Sequence, residues 1–129
     1  MDKNDLERRT KAFAVEVIGF VSGLPRNQVT SVLGNQLLRS GTSIGANYWE
    51  ANRAASRSDF THKISLAEKE AAEILYWLEP FDATLLGNAD IRRSLLDESN
   101  QLTAIFTSIG RTLRSNRSIK DGRLAEHKT

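Results

Sequence analysis

Apolar residues recur along the chain at alternating spacings of four and three, the signature of helices that bury one face. The first series is Leu6, Thr10, Phe13, Val17, Phe20 and Leu24. It predicts a helix over about 3–23, closed by Gly23 in a left-handed conformation and by Pro25, which cannot extend it. Leu33, Leu37, Ser40, Ile44, Asn47, Ala51 and Ala54 continue the pattern and predict a second helix over about 27–55. A third, over about 58–86, carries Phe60, Ile64, Ala67, Ala71, Ile74, Leu78, Phe81 and Leu85, with Ser58 as its cap and a kink at Pro80. Gly87-Asn88 makes the next turn, and Ile91, Leu95, Leu102, Ile105 and Ile109 define a fourth helix over about 89–115. From residue 116 to 129 the chain turns polar and reads as a flexible basic tail. Four helices joined by short turns predict an all-α, antiparallel up-down-up-down four-helix bundle occupying residues 1–115 as one domain.

The second helix does not fit a plain bundle. Ser40 and Asn47 stand in its buried stripe, where they are expected to bond to a facing helix and set its register, or to touch a ligand. One flank carries Gly34, Leu38, Gly41, Gly45 and Tyr48, with Trp49 nearly opposite the core. Glycine costs about 1 kcal/mol against alanine inside a helix, so close approach of another backbone should compensate. With Trp49 outermost and Tyr76 outward on the third helix, Gly41, Gly45, Tyr48, Trp49 and Tyr76 predict either helix packing or a contact with a second subunit, the latter favoured. The opposite flank carries Arg39, Ser43, Ala46, Glu50 and Arg53. Counting back from the turn near residue 56 sets Arg39 level with Glu73 and Glu50 level with Lys63, so two interhelical ion pairs are expected.

Composition removes several chemistries. The 129 residues contain no cysteine, which excludes disulfides, thiolate metal sites and cysteine catalysis together. The longest apolar run, Ala12 to Leu24, is broken by Glu16 and is shorter than the ~20 residues a membrane span needs. No signal-peptide pattern precedes it, so a cytoplasmic protein without membrane contact is expected. Gly41-Thr-Ser-Ile-Gly45 lacks the Gly-Lys-Ser/Thr ending of a phosphate loop. Glu70 and Glu73 lack the Glu-x-x-His spacing of di-iron bundles, and His62 and His127 have no evident partner. No enzyme activity, metal or cofactor is expected. The net charge of +2 conceals a division: residues 111–129 hold six Lys/Arg against two Asp/Glu, a net +4, leaving −2 for the rest. Arg111, Arg114, Arg117, Lys120 and Arg123 are therefore candidate contacts for the phosphates of RNA or DNA, against the alternative of a solvated tail.

Gln36-Leu37-Leu38-Arg39-Ser40, with Ser43-Ile44, Asn47 and Glu50-Ala51, followed by Asp59-Phe60, Lys63, Ala67 and Glu70 to Glu73, resembles the four-helix-bundle family named for intervening sequences of 23S ribosomal RNA, the S23 family. The arrangement covers residues ~6–113 and is more distantly similar to the accessory variability proteins of diversity-generating retroelements, whose strongly basic bodies differ from the near-neutral one here. The resemblance implies a homopentameric ring. Most members of that family have no established function and nucleic-acid binding is the leading proposal for them; the resemblance also marks Arg39, Ser40, Ser43, Asn47, Glu50 and Glu73 as the family's polar motif. The function expected is thus a non-catalytic, homo-oligomeric binding or scaffold protein, with a protein–protein interaction module free of nucleic acid as the alternative.

Overall fold

The computed structural model describes the backbone of residues 1–127 and the side chains of residues 1–116. Its elements are α1 (Lys3–Ser22), α2 (Gln28–Ala51), α3 (Arg57–Thr84) and α4 (Ala89–His127). They pack as an antiparallel four-helix bundle in which α2 meets α1 and α3, and α4 meets α3 and, more sparsely, α1. No strand occurs among the described residues.

The predicted stripes become the core. Leu6, Phe13, Val17 and Phe20 of α1, Leu37 and Ile44 of α2, and Ile64, Ala67, Ala71, Ile74, Leu78 and Phe81 of α3 are all buried. From α4, Leu95, Ser99, Leu102 and Phe106 enter the core, Arg92 is buried at its first turn, and Ile91, Ile105 and Ile109 lie at the margin. Phe20 and Phe81 meet edge to face at 5.5 Å, and Tyr48 meets Phe106 in the same way.

Local chemistry sets the helix ends. Asp2 and Asn27 each form reciprocal bonds with the third residue of their helices, Asp5 and Thr30. The cap of α3 is Ser56 rather than Ser58: its hydroxyl accepts from the Asp59 N–H at 3.0 Å. Asn88 caps α4 as expected, accepting from the Ile91 N–H at 3.0 Å. Gly23 stays right-handed (φ −88°) and donates its N–H back to Gly19 and Phe20. The left-handed positions fall instead at the α3–α4 turn, on Leu85 (φ 57°) and Gly87 (φ 81°). A Cβ on Gly87 would run into the Phe20 ring, so this turn needs glycine for space as well as for φ. Arg92 locks the same turn: buried, it donates to the carbonyls of Leu86 (2.9 Å) and Gly87 (3.2 Å) and to Asp82 (3.2 Å).

α3 continues through Pro80 as its register predicts, although the missing N–H deprives the Tyr76 carbonyl of its usual donor. Two boundaries differ from the sequence expectation: α2 ends at Ala51 and not near residue 55, and α4 runs further than expected. α4 does not end near residue 115 but continues to His127, because Arg, Leu and Lys favour helix whether or not an apolar face accompanies them. The stretch expected to be a flexible tail from residue 116 is thus helical backbone as far as His127, and the side chains beyond residue 116 lie outside the described residues.

Candidate interaction surfaces

The glycine flank of α2 turns inward. A Cβ on Gly41 would lie 2.8 Å from Val17 and 3.2 Å from Ile74, and one on Gly45 would lie 3.1 Å from the Thr10 hydroxyl. Gly34 faces Val21 in the same manner. These glycines therefore admit α1 of the same chain, which is the helix-packing alternative and not the favoured contact with a second subunit. Tyr48 is likewise internal, only 6% exposed, because it faces Phe106 rather than solvent. A glycine row reports close approach without saying whose backbone approaches, so the sequence could not separate the two.

Trp49 and Tyr76 do lie outside, 48% and 63% exposed. The Arg53 guanidinium sits 3.9 Å above the Trp49 ring, held there by Glu7 Oε1 (2.6 Å) and by the Trp49 carbonyl (2.9 Å). The Arg53 bond, with a second from Asn52, keeps the Glu7 carboxyl below its usual range. Tyr76 leans edge-on against Trp77. Val15 and Ile18 on α1 and Val29 and Val32 on α2 are also well exposed. Sequence reasoning passed over all four, although each falls off the buried stripe of its helix and was legible there.

The polar motif forms a seam between α2 and α3. Arg39 donates to Glu73 at 2.6 Å and to Glu70 at 3.3 Å, and Lys63 pairs with Glu50 at 2.8 Å, the register expected from the turn. Burial pushes the Glu73 carboxyl up, but bonds from Trp77 and Arg39 outweigh it and hold the carboxyl below the usual range. Ser40 is buried and accepts from Arg39 at 3.3 Å. Ser43 donates to the Arg39 carbonyl (2.5 Å) and Asn47 to the Ser43 carbonyl (2.9 Å), so these two bond within α2 and not across to a facing helix. Such back-bonding satisfies a polar side chain locally. No cluster of potential metal ligands occurs among the described residues, and no described helix is long and apolar enough to cross a membrane.

Arg111 and Arg114 are exposed on α4, and Arg114 reaches Glu68 at 3.3 Å. The side chains of Arg117, Lys120 and Arg123 lie outside the described residues. Between α1 and α4 runs a polar groove of about 550 Å³ lined by Glu16, Asp97 and Glu98, with Arg9 forking onto both Glu98 oxygens at 2.6 and 2.7 Å.

Residues 2–108 match the family model described as 23S rRNA-intervening sequence protein. The chain belongs to that family. A solved structure from the S23 ribosomal protein family, a protein of unknown function from Bacteroides thetaiotaomicron, is 37% identical, with a TM-score of 0.77 over 86% of this chain and 99% of that one. No curated protein matches the chain. In this member of the intervening-sequence family, the Arg39–Glu73 and Glu50–Lys63 pairs fix how α2 and α3 slide against each other.

Proposed function

We propose that this protein is a non-catalytic, cytoplasmic homo-oligomer, pentameric in keeping with the resemblance above, that serves as a scaffold for nucleic acid, RNA foremost. The observation that supports self-association is the set of large apolar side chains left in solvent on a chain with a complete core: Ile18, Val32, Trp49 and Tyr76. Soluble monomers seldom leave such groups unpartnered in groups. The absence of catalysis is supported by Glu70 and Glu73, both of which are already engaged by Arg39.

RNA binding is supported by the +4 charge of residues 111–129, by the exposure of Arg111 and Arg114, and by the ribosomal RNA in the family's description. Light scattering of the purified chain tests assembly. A mass several times 14.4 kDa is expected, and a clean monomer at micromolar concentration overturns it. Filter binding with structured RNA and with duplex DNA, each at two salt concentrations, tests the ligand. Retention that falls steeply with salt is expected, with the Arg111→Glu/Arg114→Glu variant flattening the dependence by about two phosphate contacts. No retention at low salt leaves only a protein-interaction role.

A further inference from the structure

Gly34 and Gly41 make room for aliphatic side chains and Gly45 for Thr10, but Gly110 makes room for an ion pair. Gly110 is buried, and the place its Cβ would take is filled by the Glu68 carboxylate reaching across from α3, with Arg114 Nη1 3.1 Å away. Glycine weakens a helix interior relative to alanine, and an ion pair at a surface contributes little stability in return. The seat is therefore a poor structural device. Its effect falls on the guanidinium that it holds.

The hold is loose. Arg9, Arg39, Arg53 and Arg92 each donate two or more hydrogen bonds. Among the described residues Arg114 donates one, from Nη1 to Glu68 Oε2 at 3.3 Å. The Glu68 side chain is 23% exposed and that of Arg114 60%, so the guanidinium faces water while the carboxylate sits half-buried behind it. Arg111 lies three residues back on α4 and is exposed as well, a spacing that sets the two Cβ atoms about 5–6 Å apart. A polyanion that lands on Arg111 thereby presents further phosphates to Arg114 at high local concentration. Phosphate and carboxylate oxygens compete for the same guanidinium donors, and the two anions repel each other.

Resting on the RNA reading above, we infer that Glu68 stands in for a backbone phosphate at Arg114: in the free protein its carboxylate occupies the guanidinium from its seat over Gly110, and RNA binding exchanges that carboxylate for a phosphate. Glu68 thus sets affinity through Arg114, because RNA gains only the difference between the two pairs.

The test is filter binding of the full-length chain to a structured RNA at about 0.15 M salt. Glu68→Gln removes the charge of the carboxylate. Gly110→Ala displaces the carboxylate and leaves the net charge as it is; what the methyl meets is the end of a flexible side chain, so the helix tolerates it. Each variant should bind about two- to fivefold more tightly, the range of a surface ion pair. Glu79→Gln removes the same charge from an exposed position eleven residues along α3, about 16 Å off and beyond the screening length, and should match the unmodified chain. In an Arg114→Ala background Gly110→Ala should add nothing. Circular dichroism confirms that every variant keeps its helix content. Unchanged or weaker binding by Glu68→Gln and Gly110→Ala overturns the exchange while RNA binding stands. So does a Gly110→Ala gain that survives Arg114→Ala, or a Glu68→Gln gain that Glu79→Gln reproduces. If the variants retain RNA and the unmodified chain does not, the exchange holds and the RNA role of the unmodified chain falls. If none of them retains RNA, both readings fall together.

Discussion

The same substitution, glycine to alanine, should act in opposite directions at Gly87 and Gly19. At Gly87 the backbone has φ 81°, where an L-residue pays about 1–2 kcal/mol, and the added methyl would meet the Phe20 ring. Phe20 is held edge-on against Phe81 in the core and cannot swing aside, so overpacking adds about 1–3 kcal/mol. The total is about 2–5 kcal/mol of lost stability. At Gly19, inside α1, an added methyl would meet no neighbouring side chain or helix within 4 Å, and alanine should instead stabilise by up to about 1 kcal/mol. For a chain of 129 residues each kcal/mol corresponds to about 4 °C of melting temperature. Thermal unfolding followed at 222 nm, at one fixed protein concentration, should place Gly87→Ala some ~8–20 °C below the unmodified chain and Gly19→Ala about 2–4 °C above it. A Gly87→Ala protein melting with the unmodified chain would refute the account of the α3–α4 turn, and a Gly19→Ala protein melting well below it would refute the account of α1.

Arg92→Ala should cost about 2–3 kcal/mol, because the Leu86 and Gly87 carbonyls lose their charged donor; chemical denaturation reads this as a lower midpoint with an unchanged slope. Glu7 has its carboxyl depressed in the folded protein, chiefly by the bond from Arg53, so its contribution is present above the unfolded pKa and is lost as pH falls through the folded one. Melting scans below pH 5 should accordingly fall less steeply for Glu7→Gln than for the unmodified chain. Arg9 and Glu98 form a two-pronged, half-buried pair across the α1–α4 groove, and a double-mutant cycle there should return a coupling of about 1 kcal/mol, against about 0.5 or less for the more exposed Glu50–Lys63 pair.

Most of the fold could be read from spacing. The stripe from Leu6 to Phe20 and the one from Ile64 to Phe81 name the core because a helix has one period and a bundle buries one face of each. The Arg39–Glu73 and Glu50–Lys63 pairs were equally legible, since a short turn fixes the register of antiparallel helices. What spacing does not carry is which neighbour a flank meets. Gly41 and Gly45 looked the same whether α1 or a second chain was to lie on them, and Tyr48, at the edge of the buried arc, needed only the Phe106 ring to draw it inside. Caps depend on a single hydroxyl and so can shift by one or two residues, as from Ser58 to Ser56. The end of α4 was missed because a polar stretch was equated with loss of helix, whereas helix propensity and burial are separate quantities.

The two indoles occupy different faces in different electrical settings, Trp49 beneath a guanidinium and Trp77 bonded to the Glu73 carboxylate at 3.4 Å. With only two tryptophans in the chain, replacing either by phenylalanine leaves a protein whose fluorescence comes from one known side. The molecule thus carries its own optical reporters: emission from Trp49 follows what happens beside α1, and emission from Trp77 what happens beside α3, with no dye attached.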